Sequence, residues 1–477
     1  MKLICLTVLS LCLAAISSAQ PKAQSTDKTL PAWTKKIGAR SQPKKAKTCS
    51  ANAFGAKNDG VSDATGSIQK AIDKCAKGGG TVSFEKGEYV TGALFIKSNV
   101  HLRIDDGVTL LGSQDESMYP RLPTRVAGIE MPWPAALINV NGATNVKISG
   151  GGTIDGRGQK WWDKYWALRR EYEPKGLRWA SDYDAERVRL MVVSRSSDVT
   201  IENVSLKRSG FWTVQVLYSD HVTVDGVKIS DNAGPSTDGV DIDSSSNLLI
   251  QNCDIDNNDD DICLKAGRDF DGLRVNRPTE YVFIRDNLVR RGGGVISFGS
   301  ETSGGIRHVV ALNNRAIGTK EGVRFKSAKT RGGFVEDVII RGLKMESVPL
   351  PFTFTLNWNP SYSYATIPEG MKDIPAYWIV MNTPVMPIER GYCQFRNIRI
   401  ENVEVVGANR IFTAAGLADK TIQNVTFANI TAQGREAGTI EFAENWMMKN
   451  VRISTDAGEN VKIANSKNVE TPIVVKK

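Results

Sequence analysis

Asp198-Val199-Thr200-Ile201 is the stretch of this 477-residue chain that best indicates its fold, because copies of it recur along most of the sequence. In each copy a polar or aromatic residue precedes two apolar residues that are one position apart. The other copies are Asn145-Val146-Lys147-Ile148, His221-Val222-Thr223-Val224, Asn247-Leu248-Leu249-Ile250, Tyr281-Val282-Phe283-Ile284, Asp337-Val338-Ile339-Ile340, Asn397-Ile398-Arg399-Ile400 and Asn424-Val425-Thr426-Phe427. Val199, Val222, Leu248 and Val282 are separated by 23, 26 and 34 residues, within the period of about 20 to 50 residues that marks stacked repeats. The chain is therefore predicted to be a solenoid.

Most copies alternate apolar and polar residues, which is the period of a β-strand with one buried face. Short strands separated by Gly, Asn and Asp cannot each bury an apolar face alone, so one coil must stack on the next. We therefore predict an all-β fold, a single-stranded right-handed parallel β-helix. A β-sandwich is less favoured, because its hairpins need tight turns and most connections here are too long.

One segment has a helical pattern. Between Thr65 and Lys77, the residues Ile68, Ala71, Ile72 and Cys75 fall at helical spacing, and three glycines follow the run. A solenoid needs a cap, since its first coil exposes an apolar cross-section and unpaired strand edges. We expect this helix to be that N-terminal cap.

The N-terminal residues have the features of an export signal. Lys2 is followed by a largely apolar run and by Ser17-Ser18-Ala19, small residues that signal peptidase accepts. We expect residues 1–19 to be a signal peptide, 20–48 a basic flexible lead-in and 49–477 the β-helix. The protein is then exported to the periplasm or the extracellular medium of a bacterium. No later segment has the roughly 18 uninterrupted apolar residues of a membrane span, so membrane insertion is not expected.

Charge and metal-binding residue types restrict the function further. The formal charge of +9 fits a polyanionic partner such as a polyuronide or a nucleic acid, although the lysine-rich lead-in accounts for part of it. The five cysteines beyond the signal are too few and too scattered for a disulfide framework, and they lack CxxC spacing for zinc. His101, His221 and His308 lie beside or inside strand-like runs, which argues against a histidine–metal or Ser-His-Asp centre. We expect neither a metal nor a cofactor.

Several motifs carry a resemblance to a known family. Residues 54–63, 79–84 and 92–100 closely resemble the opening of pectin-degrading β-helix enzymes. Further on, Ser236-Thr237-Asp238-Gly239-Val240-Asp241, Asn258-Asp259-Asp260 and Arg324-Phe325-Lys326 resemble three of the four motifs of glycoside hydrolase family 28, the polygalacturonase family. The order and spacing of the motifs match as well, from about Phe54 to the last coils.

The fourth motif departs from the family pattern. Where the family has Gly-His-Gly, this chain has Gly292-Gly293-Gly294, followed by the family-like Ser297-Phe298-Gly299-Ser300-Glu301. Gly293 therefore stands where the family has histidine. The missing side chain leaves room that could admit a different sugar, such as rhamnose, next to galacturonate.

Hydrolysis of a glycosidic bond needs a carboxylic acid that protonates the leaving oxygen and a carboxylate that activates water or attacks the sugar. Three aspartates of the motifs could supply these groups. Asp238 and Asp259 are 21 residues apart, close to one coil, which predicts that they stack on adjacent strands. Asp260 can reach the same cleft only through a turn or bulge at Asn257-Asn258. By resemblance, Asp259 is the acid, Asp238 and Asp260 hold the nucleophilic water, and the outcome is inversion. The plain alternative is that these acids occupy solvated turns or bind calcium.

Arg324 and Lys326 are two residues apart, so on a strand they share one face while Val323 and Phe325 point inward. Both cations could then hold the carboxylate of a galacturonate, Arg324 through a bidentate contact and Lys326 as a point charge. An ordinary exposed strand face is the alternative.

An insertion follows the coil at Gly152, with Trp161-Trp162-Asp163-Lys164-Tyr165-Trp166, Arg169-Arg170 and Trp179. The tryptophans suit either stacking on sugar faces or packing of the loop onto the solenoid. If the loop closes one end of the cleft, the enzyme works from chain ends.

The resemblance thus implies an inverting, exo-acting glycoside hydrolase that cleaves α-galacturonosyl linkages of rhamnogalacturonan or homogalacturonan. Its partner would be a pectic polysaccharide or oligosaccharide and not a nucleic acid, and we expect a monomer. Two alternatives stay open: a calcium-dependent pectate-type lyase of the same architecture, and a non-catalytic β-helix that binds pectic glycans.

Overall fold

The computed structural model describes residues 30–44 and 47–477. The predicted signal peptide lies outside these residues. Trp33–Lys477 forms one compact unit, while only residues 30–32 of the preceding unit, Met1–Ala32, are described. In the larger unit, short strands pair in parallel with strands of the coils before and after them. The predicted right-handed parallel β-helix is confirmed, and the parallel pairing excludes a β-sandwich.

Three parallel sheets run along the solenoid. The first sheet contains Leu94–Ile96, Ile138–Asn141, Met191–Ser194, Val214–Leu217, Val240–Asp243, Ile262–Lys265, Gly294–Phe298, Glu321–Lys326, Leu350–Thr355 and Lys462–Ala464. The second contains Thr48–Ser50, Gly80–Ser83, Val100–Arg103, Thr144–Ser149, Ser197–Glu202, Asp220–Asp225, Ser246–Gln251, Thr279–Arg285, Ile306–Leu312, Phe334–Arg341 and Lys467–Val469. The third contains Asp59–Asp63, Gly87–Thr91, Val108–Gly112, Thr153–Asp155, Ser205–Lys207, Lys228–Ser230, Asp254–Ile255, Leu288–Val289, Arg315–Ile317, Lys344–Glu346 and Ile473–Lys476. Three long strands, Gln394–Ala415, Ile422–Glu441 and Ala443–Thr455, continue the stack near the C-terminus and extend across more than one sheet.

The repeated sequence pattern has a backbone cause. The polar or aromatic residue that opens each copy has a positive φ, for example 54° at Asp198 and 59° at Asn247. Asn and Asp adopt this left-handed conformation more readily than other residues with a side chain, which explains why they dominate the position. In the last coils these residues also form a ladder, in which Asn424 donates to Asn397 over 3.2 Å and Asn445 donates to Asn424 over 3.3 Å.

The core consists of the inward residues of successive coils. In the first sheet, Phe298, Phe325 and Phe354 lie in register, and their rings are stacked with centroids 4.4 and 4.7 Å apart. These distances match the strand spacing of about 4.8 Å. Each such ring pair adds roughly 0.5 to 1.5 kcal/mol beyond the burial of its area.

The predicted cap is confirmed as a helix over Thr65–Ala76, with Ile68, Ala71, Ile72 and Cys75 buried. Cys75 forms a disulfide with Cys49 in the first strand of the second sheet. The three other described cysteines are free and buried. The bond joins the cap to the first coil.

Three excursions leave the coils. The first is an antiparallel hairpin of strands Arg121–Val126 and Ile129–Pro134. The second is the insertion, with the helices Gln159–Tyr172 and Ser181–Asp184, and the third is the loop 357–392, with the helices Pro360–Ser363 and Ala376–Asn382. A further helix spans Asp269–Val275. Among the described residues, no helix has the length and apolar character needed to span a membrane.

Part of the segment predicted as a flexible lead-in is bound to the solenoid. Gly38 donates its backbone N–H to the carbonyl of Asn247 over 3.0 Å. Arg40 contacts both carboxylate oxygens of Asp198, over 3.0 and 2.8 Å. The first strand of the stack begins at Thr48, next to the predicted boundary at residue 49.

Candidate functional site

The three aspartates of the resemblance are brought together on the first sheet, in a register that differs from the prediction. Strand Ile262–Lys265 pairs with Val240–Asp243 so that Val240 is opposite Ile262, and Gly239 donates its N–H to the carbonyl of Asp260 over 2.9 Å. Asp238 therefore lies level with Asp260. The prediction that Asp238 stacks on Asp259 is wrong by one residue, because the turn between the two strands adds one residue to the coil.

The predicted irregularity at Asn257-Asn258 is confirmed. Residues 256–261 form no strand and include a bend at Asn258 and Asp259. Asp259 accepts a hydrogen bond of 2.9 Å from the N–H of Asp260, and its side chain is half-buried. The bend allows both neighbouring carboxyl groups to reach the same cleft.

Asp260 is the buried anion of the group. Its carboxylate accepts bonds from Lys326 Nζ at 2.6 Å, Arg324 Nη1 at 3.0 Å and Ser297 Oγ at 2.7 Å. Burial alone would raise its pKa, but the charges of Lys326, Arg324 and Lys265 lower the pKa of Asp260 far below its usual range. Asp260 is thus ionised at any working pH.

Arg324 and Lys326 do share one face of their strand, while Val323 and Phe325 are buried in the core. Both cations are directed at Asp260, and Arg324 also contacts Glu321 through Nη2 at 3.0 Å. Only 12% of the Arg324 side chain and 5% of the Lys326 side chain are exposed. These contacts account for the ionisation of Asp260, and substrate binding by the two cations stays a prediction.

A second charge cluster lies under Asp238. Lys265 Nζ is 3.5 Å from Asp238, 3.4 Å from Asp241 and 3.6 Å from Glu301, and all four side chains are buried. Burial, followed by the nearby carboxylates, raises the pKa of Asp238 well above its usual range, and burial raises the pKa of Asp241 to about 7. The cluster therefore favours a protonated carboxyl group near neutral pH.

The cleft has two parts that meet at Asp259. The inner pocket is lined by Ala127, Arg178, Asp182, Phe211, Trp212, Ser236, Asp238, Asp259, Asp260, Lys265, Ser300, Glu301, Lys326, Trp358 and Tyr362. The outer pocket, with a volume of about 330 Å³, is lined by Tyr165, Trp166, Arg169, Arg178, Pro235, Ser236, Asn258, Asp259, Gly293, Lys320, Glu321, Arg324, Trp358 and Asn359.

Gly293 adjoins Asp259 closely. A Cβ at Gly293 would lie 3.1 Å from Asp259 Oδ1 and 3.2 Å from the nitrogen of Asp260, so a larger residue would press on the bend. Gly292 has a φ of 149°, and a Cβ there would lie 2.3 Å from Asp261 Oδ2. The triple glycine thus permits the buried carboxyl of Asp261 and leaves the outer pocket open beside Asp259.

The three excursions form a wall along part of the inner pocket, which they line with Ala127, Arg178, Asp182, Trp358 and Tyr362. Apolar side chains of the hairpin, the insertion and the loop 357–392 form one buried cluster, which includes Trp133, Trp179, Tyr183, Trp212 and Trp378. At the hairpin tip, Ala127 accepts a 2.8 Å bond from Tyr183, and Tyr183 accepts a 2.9 Å bond from Arg268. The insertion is also tied to the cleft, because Ser236 donates to Asp182 over 2.8 Å.

The tryptophans of the insertion differ in burial, and stacking on a sugar stays a prediction. Trp161, Trp162 and Trp179 are buried, and Trp162 Nε1 donates to the carbonyl of Ser209 over 2.8 Å. Trp166 remains 36% exposed and lines the outer pocket. Most of the tryptophans therefore pack the insertion onto the solenoid, and Trp166 faces the cleft.

The site is poorly suited to a cation. Within the described part of the chain, Asp238, Asp260 and Cys263 have possible ligand atoms within 4.8 Å of one another. Burial raises the pKa of the Cys263 thiol, and Lys326 and Arg324 already compensate Asp260. Calcium takes about six to eight oxygen ligands, which this set does not offer.

Sequence reasoning missed several residues of the site. Lys265 and Asp241 occupy outward positions of strands whose inward residues are Ile262, Leu264 and Ile242. A charged residue at an outward position, between or after apolar inward residues, was the available signal. The hairpin tip and Tyr362 gave no such signal, because neither belongs to a repeat.

Comparisons with known proteins identify the family of the chain. A family model described as glycosyl hydrolases family 28 matches residues 86–362. A probable polygalacturonase of Vitis vinifera is 32% identical over 64% of this chain and 62% of its own length, so the match leaves part of that relative uncovered. An endo-polygalacturonase of Pectobacterium parmentieri is 31% identical over 67% of this chain and 77% of its own.

A solved structure extends the similarity to most of the chain. The exopolygalacturonase of Thermotoga maritima aligns with a TM-score of 0.73 and 26% identity, and the alignment covers 87% of this chain and 95% of that one. Since the family model spans more than half of the sequence, the chain belongs to glycosyl hydrolases family 28 and is a glycoside hydrolase.

Proposed function

We propose that the protein hydrolyses α-galacturonosyl linkages of pectic polysaccharide or oligosaccharide, with inversion and from chain ends. The observation that carries the proposal is the position of Asp259 at the junction of the two pockets, beside the level pair Asp238 and Asp260. The scissile bond would lie at this junction, with the terminal galacturonate in the inner pocket and the leaving sugar in the outer one.

The roles follow from the environment of each carboxyl group. Asp259 would donate a proton to the leaving oxygen, while Asp238 and Asp260 hold the attacking water on the opposite side of the sugar. Asp260, kept ionised by Lys326 and Arg324, would orient that water by accepting a hydrogen bond from it, and the Asp238–Asp260 pair would take up its proton as the bond to the sugar forms. In the free protein the raised pKa of Asp238 makes it the alternative donor.

Exo action is supported by the wall around the inner pocket. Ala127 at the hairpin tip, Trp212 and Tyr362 line this pocket, and each belongs to or packs against an excursion that is tied to the solenoid by buried hydrogen bonds. A chain that continued past the terminal sugar would meet this wall. The similar proteins include an exopolygalacturonase and an endo-polygalacturonase, so the proposal of exo action rests on the wall.

Product analysis tests the function. Oligosaccharides of homogalacturonan and rhamnogalacturonan are incubated with the protein, and the products are resolved by chromatography while NMR follows the first-formed anomer. Free galacturonate that appears first as the β-anomer supports inverting exo hydrolysis. Unsaturated products and loss of activity on chelation would identify a lyase, and tight binding without turnover would identify a binding protein.

Arg324→Ala is expected to reduce activity more on acidic than on neutral substrates. A charged contact to a substrate carboxylate is worth roughly 1.5 to 3 kcal/mol, and this contribution disappears when the carboxylate is esterified. Loss of the contacts to Asp260 affects both substrates alike, so the ratio of kcat/KM on free-acid and methyl-esterified oligogalacturonate isolates the recognition role. An unchanged ratio would assign Arg324 to Asp260 alone.

Rhamnogalacturonan oligosaccharides are expected to release galacturonate faster than homogalacturonan does. Gly293 carries no side chain into the outer pocket that it lines beside Asp259, where the family has histidine, and this pocket can take rhamnose next to galacturonate. Initial rates of galacturonate release on length-matched substrates check this expectation. A clear preference for oligogalacturonate would contradict the linkage preference and leave hydrolysis itself untouched.

A further inference from the structure

Lys320 lies one coil beyond Gly293, the residue that stands where the family has histidine. Ile262 is opposite Ile296 and Ile296 is opposite Val323 in successive coils of the first sheet. The same registers place Asp259, Gly293 and Lys320 in one column just before the strands, with adjacent members about 4.8 Å apart. Backbone bonds agree with this order, since Gly293 donates to Asp259 over 2.7 Å and Lys320 donates to Gly292 over 3.0 Å.

The charges of the outer pocket point to an anionic ligand. Its lining has four basic and two acidic side chains. Arg178 is committed to Asp182, and Arg324 is committed to Asp260 and Glu321. Lys320 is exposed and has no ion-pair partner among the described residues of the chain. The pocket thus offers an uncompensated ammonium group one coil beyond Gly293.

The insertion helix Gln159–Tyr172 also lines the outer pocket, through Tyr165, Trp166 and Arg169. Arg169 lies over the ring of Trp166 at 5.3 Å and contacts Glu173 at 3.1 Å on the exposed side. An aromatic ring with a cation above it suits the apolar face of a sugar that also carries a negative charge. The pocket lining therefore includes two further cations. Lys320 comes from a coil and has no ion-pair partner among the described residues, and Arg169 comes from the insertion and is paired with Glu173.

We propose that Lys320, with Arg169 and Trp166, forms a subsite that binds a uronate carboxylate on the leaving-group side of the scissile bond. The inference rests on the proposed function and adds the residues that recognise a carboxylate on the first or the second sugar of the leaving group. Lys320 compensates on the next coil for the side chain that Gly293 lacks. Since Gly293 leaves the column open, the lysine can approach either the first or the second sugar beyond the bond.

Lys320→Ala, Lys320→Arg and the control Lys344→Ala are compared on three substrates. Lys344 is an exposed lysine of the third sheet, paired with Glu404 outside the cleft. The substrates are digalacturonate, trigalacturonate and p-nitrophenyl α-galacturonide, whose aryl leaving group carries no carboxylate. For Lys320→Ala we expect kcat/KM to fall about tenfold more on the galacturonate oligomers than on the aryl galacturonide, mainly through KM. Lys320→Arg should restore most of the loss, and Lys344→Ala should match the wild-type protein.

The outcomes separate the inference from the proposed function. Equal effects of Lys320→Ala on all three substrates would overturn the carboxylate contact while hydrolysis stands. If the wild-type protein cleaves no pectic substrate, the proposed function fails. Titration of Asp259→Asn, with and without Lys320→Ala, with trigalacturonate and a galacturonate–rhamnose oligosaccharide then tests the subsite by affinity alone. An affinity that does not depend on Lys320 would contradict the inference.

Discussion

Asp259→Asn is expected to lower kcat on pectic oligosaccharides by about a thousandfold, within the range that a positioned proton donor contributes. The amide keeps the shape of the side chain but cannot deliver a proton to the leaving oxygen. Among the described residues Asp259 takes part in no ion pair, and its one side-chain bond is to the neighbouring N–H. The free energy of unfolding should therefore stay at the wild-type value.

Substrates with different leaving groups distinguish the proton-donor role of Asp259 from the water-binding role of Asp238 and Asp260. The aryl group of an aryl galacturonide departs as a stable phenolate that needs little protonation. Asp259→Asn should therefore retain much more activity on the aryl galacturonide than on oligosaccharides. Asp238→Asn and Asp260→Asn should lose activity on both substrates, because the attacking water is needed in either case. If Asp238→Asn instead spares the aryl substrate while Asp259→Asn does not, the acid is Asp238, as its raised pKa would allow.

Asp260→Asn is expected to lose activity to a similar extent and also to destabilise the protein by about 3 kcal/mol. Its removal leaves Lys326 and Arg324 buried without their carboxylate, and breaking a buried pair from one side costs roughly 3 to 5 kcal/mol. Denaturant unfolding at neutral pH measures the loss. Because the folded pKa of Asp260 is lowered, its stabilisation is present above the unfolded pKa of about 3.9 and fades as the pH falls below it.

Asp254→Asn is the matched control for this prediction. Asp254 lies on the same coil and pairs with Arg290 at 2.7 Å, but both side chains are exposed, and such surface pairs are worth about 0 to 1 kcal/mol. The control should leave stability and activity near the wild-type values. A wild-type free energy of unfolding for Asp260→Asn would mean that Lys326 and Arg324 find other partners.

The repeats made the fold predictable, because each coil carries the same local signal. Each copy begins with a residue in the left-handed backbone conformation, and the side chains that follow it point alternately into the core and out to solvent. In the sequence this appears as a polar residue followed by an apolar, a polar and an apolar residue. The capping helix was predictable for a similar reason, since Ile68, Ala71, Ile72 and Cys75 repeat at the helical period within one short segment. These features depend on neighbours in the chain and so can be inferred from it.

The parts of the site that could not be predicted from the sequence depend on contacts between segments that are distant in the chain. The length of the turn before Ile262 decides whether Asp259 or Asp260 lies level with Asp238, and no periodicity specifies that length. The wall joins three excursions that are distant in the sequence, through one buried apolar cluster and through hydrogen bonds such as that from Tyr183 to Ala127. The contacts of Arg324 with Asp260 and Glu321 were determined by the register, and its contact with substrate stays a prediction.

The wall around the inner pocket also determines which measure of substrate concentration controls the rate. Under the proposed exo action, a polymer of any length presents a single productive terminus, so the rate follows the molar number of molecules and not the mass of polysaccharide. Every internal scission made by another activity creates one more terminus. The protein is therefore suited to the late stage of degradation, where fragments are abundant and short, and its contribution to mass loss should rise as the mean length of the fragments falls.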